Sequence, residues 1–231
     1  CQPCRAICVK NCCDFLVCTI CWLAVGYPIA FGAENGEMFG DKFWMADGAP
    51  DPNAETGFWP FWFFQWSFAS ATCTIVSGAG AERCSFQGYI VSTALLATFV
   101  YPVVVHSMWC GSGWLSSGEN DKIAVFDFAG SGVVHLVGGT GAFMIASIVG
   151  ARDGRFGKNG EVLSLSPHNL VMGATGGLLL LTGWFGFNGG STAAASGGGG
   201  RDAGRICAVT AMGAAAGGMT TLLYVWYTSH F

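Results

Sequence analysis

The chain has 231 residues, of which 52% are hydrophobic and only 10% are charged. Soluble domains usually carry about 25% charged residues, so this composition favours lipid over water as the surroundings of the protein. The small net charge of −4, with no run of Lys or Arg, excludes nucleic-acid binding as a leading function.

Six segments are long and apolar enough to cross a bilayer, which takes about 20 helical residues. The membrane core holds no water to satisfy backbone groups, so each segment is expected to be a helix. The predicted spans are residues 15–31, 58–81, 86–109, 123–150, 169–190 and 206–227. They predict an all-α fold, that of a polytopic membrane protein with about six transmembrane helices.

Cysteines are concentrated at the start of the chain. Cys1 and Cys4 have the CxxC spacing of many zinc sites, but no second CxxC or HxxxH pair follows within reach. Cys18 and Cys21 lie in an apolar run, where cysteine usually packs as a small hydrophobic residue. We therefore expect neither a metal site nor a cofactor.

Lys and Arg in the loops predict the orientation, because cytoplasmic loops carry an excess of them. A cytoplasmic N-terminus places more basic residues inside than outside. The inner set is Arg5, Lys10, Arg83, Arg152, Arg155 and Lys158, and the outer set is Lys42, Lys122, Arg201 and Arg205. The acidic loop at residues 34–55 would then face outward.

Aromatic side chains lie at the predicted outer ends of three spans, within residues 64–68 on the second, at Trp109 on the third and within residues 184–187 on the fifth. Such residues commonly anchor membrane proteins at the lipid interface. The alternative is a cation site, in which ring faces attract ammonium and the hydroxyl of Ser191 accepts one of its N–H groups. The sequence leaves both interpretations open.

The fourth span contains two ionisable residues, Asp127 and His135, which are costly in lipid and often functional. Eight positions separate them, which would be about two turns of one helix. Asp127 is near the helix end and suits a cap for free N–H groups. His135 suits either a satisfied core residue or part of a path for a neutral amine. This pair supplies no nucleophile–base arrangement or metal trio, so we expect no enzyme.

Four blocks of the sequence resemble the ammonium transporter (Amt/Mep/Rh) superfamily, and its Amt branch in particular. One block runs from Asp127 to His135 as DFAGSGVVH. The others are residues 64–68 with 78–83, residues 106–109 with 113–115, and residues 167–170 with 183–188 and 191. The resemblance extends from about residue 10 to about residue 190, with Ser131 in place of a glycine in the signature.

The resemblance implies a fold of two inverted repeats around a pore, in a homotrimer whose subunits each carry a pore. The six spans would be helices two to seven of that fold. Residues 1–231 would then form one incomplete ammonium transporter domain, without its first helix and its C-terminal half. One alternative to a transport function is that such a piece conducts nothing by itself.

The resemblance also assigns roles to individual residues. Phe68, Trp109 and Ser191 would form an outer recruitment site, and Phe68 with Phe187 would gate the pore mouth. Asp127 would order the recruitment region, and His135 would be the first of two pore histidines. Two further histidines, His106 and His168, match family positions outside the pore.

The expected function is transport of ammonium or ammonia, with methylammonium as a further candidate substrate. The expected location is the lipid of a plasma membrane. The alternative is a sensor, or transceptor, that signals ammonium to a cytoplasmic partner.

Overall fold

A computed structural model describes residues 4–32, 38–51, 56–116, 125–194 and 196–230. These residues are mainly helical, with one isolated antiparallel bridge between Phe156 and Val162, which confirms the all-α class. The chain forms two compact units, Cys1–Ser164 and Leu165–Phe231, and each is described by itself.

The first unit holds four long helices. Helix α1 comprises Cys4–Cys21, a π-helical turn at Trp22–Gly26, and Tyr27–Phe31; helix α2 is Phe58–Gly80. Helix α3 comprises Phe86–Leu95, a π-helical turn at Leu96–Val100, and Tyr101–Trp109; helix α4 comprises a π-helical turn at Ser131–Leu136 and then Val137–Val149. A short 3₁₀ turn, Trp44–Ala46, follows α1.

The π turns in α1 and α3 come just before Pro28 and Pro102. Proline has no N–H and clashes with the carbonyl four residues earlier, and a wider turn lets a helix continue through it. The two helices approach closely here, since a Cβ on Gly26 would lie 2.4 Å from the carbonyl oxygen of Ala97. Only glycine permits this contact.

The second unit is a helical hairpin. Helix α5 is Leu170–Gly190 and helix α6 is Gly197–His230. The side chain of Asn169 caps α5 by accepting the N–H of Met172 at 3.0 Å. Near the end of α5, the Asn188 amide donates to the Thr210 hydroxyl at 3.0 Å and joins the two helices.

Among the described residues, five helical stretches are long and apolar enough to cross a membrane: Ile7–Phe31, Phe86–Trp109, Ser131–Val149, Leu170–Gly190 and Gly197–Ser229. The remaining predicted span forms α2, which has 23 residues and no charge, but its Gln, Trp, Ser and Gly residues lower its hydropathy. The six predicted segments are therefore helical, and the chain is an integral membrane protein.

Helix α1 begins well before the predicted residue 15, because two charged side chains find partners inside the unit. Lys10 is 1% exposed, and its amine donates to the carbonyl oxygens of Ala81 at 3.0 Å and Cys84 at 2.7 Å. The amine also lies 5.5 Å from the centre of the Tyr89 ring. Lys10 therefore joins the start of α1 to the turn between α2 and α3.

Asp14 lies one turn further along α1 and is 2% exposed. Its carboxylate accepts hydrogen bonds from the hydroxyl of Tyr89, at 2.7 Å, and from the hydroxyl of Thr93. Buried charges are stable only when paired or hydrogen-bonded, which explains why a helix with Lys and Asp can lie in this apolar unit.

Three of the six predicted inner basic residues lie close together at one end of this unit. The Arg83 guanidinium donates to the carbonyl oxygens of Gly150 and, at 2.6 Å, Ala79. Arg152 pairs with Glu82 at 2.6 Å. Together with Lys10, these contacts place three residues of the predicted inner set around the α2–α3 turn. The outer-set residue Lys122 and the two ends of the acidic loop, residues 34–37 and 52–55, lie outside the described residues.

Candidate functional site

The first unit brings together Phe68 of α2 and Trp109, the last residue of α3. Their rings lie nearly edge to face, with centroids 5.3 Å apart and an interplanar angle of 67°. Phe68 is 2% exposed and makes a second perpendicular contact with Phe64, at 4.8 Å. Edge-to-face packing fixes ring orientation, so this cluster is a rigid aromatic wall.

Trp109 is tied to the segment before α4. Its indole N–H donates to the backbone carbonyl of Asp127 at 2.7 Å. This bond holds the indole ring in one orientation and fixes residue 127 against the end of α3. The aromatic pair and the start of α4 therefore form one structural group.

The Asp127 carboxylate caps α4 with four backbone N–H bonds. One oxygen accepts from Gly130 at 2.7 Å and Ser131 at 2.9 Å, and the other accepts from Gly132 at 2.9 Å and Val133 at 2.8 Å. These are the N–H groups that a helix start leaves unpaired. The helix-cap interpretation of Asp127 is therefore confirmed, and its charge faces the positive end of the helix.

The predicted fourth span, 123–150, was too long at its start. Residues 123–124 lie outside the described residues, residues 125–130 are not helical, and α4 begins at Ser131. Asp127 precedes the helix, so its expected position two turns from His135 on one helix face was wrong. The reason is the cap itself, because a carboxylate that binds the first N–H groups must stand outside the helix.

Gly130 makes this cap sterically feasible. Its backbone φ angle is +88°, which residues with a Cβ atom rarely adopt. An added Cβ would also lie 2.6 Å from a Val134 methyl group. We expect Gly130→Ala to destabilise the protein by about 2 kcal/mol. Thermal unfolding in detergent measures this, with Gly139→Ala as the control, because a Cβ at residue 139 meets nothing within 4 Å. Equal melting temperatures for the two variants would contradict the prediction.

His135 lies on the first turns of α4, and its side chain is exposed in this unit. Its Nδ1 lies 3.2 Å from the carbonyl oxygen of Gly130, within the loop that Asp127 caps. Among the described residues, His135 therefore lies on the surface of its unit with a hydrogen-bond partner for its ring. A chain of contacts thus links Trp109, Asp127, Gly130 and His135.

Phe187 and Ser191 belong to the second unit, at the end of α5. Both side chains are half-buried, and the Ser191 hydroxyl donates to the Phe187 carbonyl at 2.8 Å. The structure thus brings Phe68, Trp109, Asp127 and His135 together in one unit, and Phe187 with Ser191 in the other.

Two other histidines, His106 and His168, differ from His135. His106 is fully buried, with Nδ1 2.9 Å from the Ala30 carbonyl oxygen and Nε2 3.5 Å from the Ser112 hydroxyl. It joins α3 to α1 and has a structural role. His168 is exposed before α5.

Gln65 is a candidate that the sequence interpretation did not single out. It is 6% exposed, and its side-chain oxygen has no hydrogen-bond partner among the described residues. It lies one turn before Phe68, so an unpaired acceptor is buried near the aromatic wall. Its signal in the sequence was a polar residue within an aromatic run.

Comparisons with known proteins agree with this architecture. The sequence model of the Ammonium Transporter Family matches residues 3–230. The chain is 37% identical over 222 residues to Ammonium transporter 1 member 3 of Oryza sativa subsp. japonica, covering 89% of this chain and 44% of that protein. It is 36% identical over 223 residues to Ammonium transporter Amt2 of Archaeoglobus fulgidus, covering 94% and 46%.

The fold is also that of a solved relative. The structure named Sensor Amt Protein superposes with a TM-score of 0.80 and 32% identity, covering 95% of this chain and 53% of that one. The chain spans about half the length of the curated relatives it matches. The match to the family nevertheless covers almost the whole chain, which confirms the predicted resemblance. The chain belongs to the Ammonium Transporter Family, whose members are transporters and not enzymes.

Proposed function

We propose that the intact gene product moves ammonium or ammonia across a membrane through a pore that passes the Phe68–Trp109 wall and His135. The observation that carries the proposal is the chain of contacts from Trp109 through Asp127 and Gly130 to His135. It couples an aromatic surface suited to a cation to an imidazole suited to a neutral amine. Family membership supports ammonium as the substrate.

Asp127 orders this site and does not bind the cation directly. Both carboxylate oxygens are engaged by backbone N–H groups, which compensate the negative charge. The attraction for ammonium is then left to the ring faces, and a desolvated cation–π contact contributes about 2 kcal/mol. A weak site of this kind concentrates the ion without trapping it.

His135 receives the ligand after the cation site. In the neutral tautomer whose Nδ1–H donates to the Gly130 carbonyl, Nε2 carries the acceptor lone pair. A neutral imidazole accepts an N–H group from a passing ammonia or ammonium without placing a charge in an apolar path. By the family resemblance, Phe187 has a gating role and the Ser191 hydroxyl accepts an N–H group of the ligand.

The same proposal extends to the assembly. Residues 1–231 are part of one ammonium transporter domain, the working form is a homotrimer in the lipid of the plasma membrane, and methylammonium is a second substrate. Membership of the family and apolar helices of spanning length support this assignment.

The test is uptake of labelled methylammonium and ammonium-limited growth in transporter-deficient cells that express the intact gene product. We expect Trp109→Leu to weaken apparent affinity about tenfold, as loss of about 1.4 kcal/mol requires. His135→Ala should alter the maximal rate. The matched controls are Trp44→Leu and His168→Ala. Both residues are exposed and lie outside the site, so we expect these two variants to take up methylammonium at the wild-type rate. An equal loss of uptake in the control variants and the site variants would contradict the assignment of these residues to the pore.

A sensor is the second candidate, because one similar structure is named Sensor Amt Protein. The two functions give different results in the same cells. A well-expressed product that moves neither substrate, and in which His135→Ala changes only an ammonium-dependent signal, would establish the sensor and reject the transporter.

A further inference from the structure

Two cysteines lie exposed on one face of α1, near its start. Cys8 and Cys12 are both exposed, whereas Cys13 is half-buried and Cys18 is fully buried. Residues four apart lie one above the other on a helix. The two thiols therefore form an accessible pair, while further along α1 Cys13 and Cys21 are half-buried and Cys18 is buried.

The pair lies at the membrane boundary. Lys10 stands between the two cysteines in sequence, and its amine binds the Ala81 and Cys84 carbonyls at the α2–α3 turn. The apolar stretch that can cross the membrane begins at Ile7. Cys8 and Cys12 are thus level with the end of the helix bundle, at the end where three of the predicted inner basic residues lie.

The same side of α1 continues as an exposed apolar strip towards the membrane centre. Phe15 is 50% exposed, Leu16 57% and Ile20 67%. Leu16 and Ile20 follow Cys8 and Cys12 at the same four-residue spacing, so thiols and apolar side chains share one helix face. A hydrocarbon chain attached at the thiols would lie along this strip.

We propose that Cys8 and Cys12 are sites of reversible S-acylation by a long-chain acyl thioester. Juxtamembrane cysteines are typical acceptors of such chains. The cysteine sulfur, as thiolate, attacks the acyl carbonyl carbon; a new S–C bond forms, the donor's C–S bond breaks, and the donor thiol leaves and takes up the proton. The exchange needs no oxidant or reductant. The occupant of the strip is therefore the fatty chain of the modified protein itself.

The test uses the intact gene product, expressed in a eukaryotic host that has protein acyltransferases on its cytoplasmic membrane face. Free thiols are blocked, thioesters are cleaved with hydroxylamine, and the released thiols receive a mass tag. The wild type should gain two tags, Cys8→Ser and Cys12→Ser one each, and the double variant none. Cys18→Ser is the matched control and should retain both tags, because Cys18 is buried.

Two results would overturn the proposal. One is a wild type without hydroxylamine-dependent tags, and the other is a double variant that keeps both tags. If the untagged wild-type thiols also resist a small alkylating reagent in intact membranes, another protein segment covers this face of α1. Methylammonium uptake by the double variant shows that it folds, so a loss of tags is separate from a failure of the transport proposal.

Discussion

Asp127→Ala is expected to lower ammonium uptake by at least about tenfold and to destabilise the protein by about 2 kcal/mol. The variant leaves four backbone N–H groups at the start of α4 without their carboxylate acceptor. It also frees the loop whose carbonyl holds the Trp109 indole. Both the aromatic wall and the His135 turn should loosen together.

Graded variants separate the cap from the charge. Asparagine retains one side-chain oxygen, so Asp127→Asn should keep part of the cap and fall between the wild type and Asp127→Ala in both uptake and melting temperature. Asp153→Ala removes an exposed carboxylate from the same unit and should change neither. If Asp127→Ala kept its stability but lost uptake, the carboxylate would bind the ligand directly, which contradicts the ordering role.

Lys10→Met is expected to destabilise the protein by about 3 kcal/mol, the cost of removing one partner of a buried charged group. Methionine has similar length, but it cannot donate to the Ala81 and Cys84 carbonyls. It also removes the positive charge one turn from the buried Asp14 carboxylate. The junction of α1 with the α2–α3 turn should therefore open first.

Unfolding in detergent, followed by tryptophan fluorescence, measures this loss. Lys158→Met is the control, because Lys158 is exposed in the loop after α4. The double change Lys10→Met with Asp14→Asn removes both charges and should recover part of the stability. A Lys10→Met protein as stable as the Lys158→Met protein would show that the buried amine contributes nothing.

Local sequence patterns were sufficient to predict the helical segments and to identify Asp127 as a helix cap. Apolar length located all six helical segments, and the position of Asp127 near the end of a predicted span indicated a cap. The start of α4 was misplaced because hydrophobicity continues through Val125 and Phe126, although the chain there is not helical. An apolar residue before a cap looks the same in sequence as one inside the helix.

The buried polar contacts could not be predicted from the sequence. The sequence pattern placed Lys10 in a loop. Its partners, the carbonyl groups of Ala81 and Cys84, are more than 70 positions away in the chain, so no local pattern indicates them. The bond from Trp109 to the Asp127 carbonyl likewise depends on how α3 and the segment before α4 meet. In the sequence pattern Lys10 is a loop residue and Trp109 an aromatic residue at a span end, and only the fold shows which carbonyls they reach.

The most direct test of the transport claim is reconstitution of the purified intact gene product into liposomes, with an imposed ammonium gradient. Membrane current reports entry of ammonium, and a rise in luminal pH reports entry of ammonia. We predict that one of these two signals, current or pH change, saturates with ammonium concentration. Trp109→Leu should raise the concentration that gives the half-maximal signal, and His135→Ala should change the maximal rate. A signal no larger than in protein-free liposomes, from protein that is folded and inserted, would contradict the account.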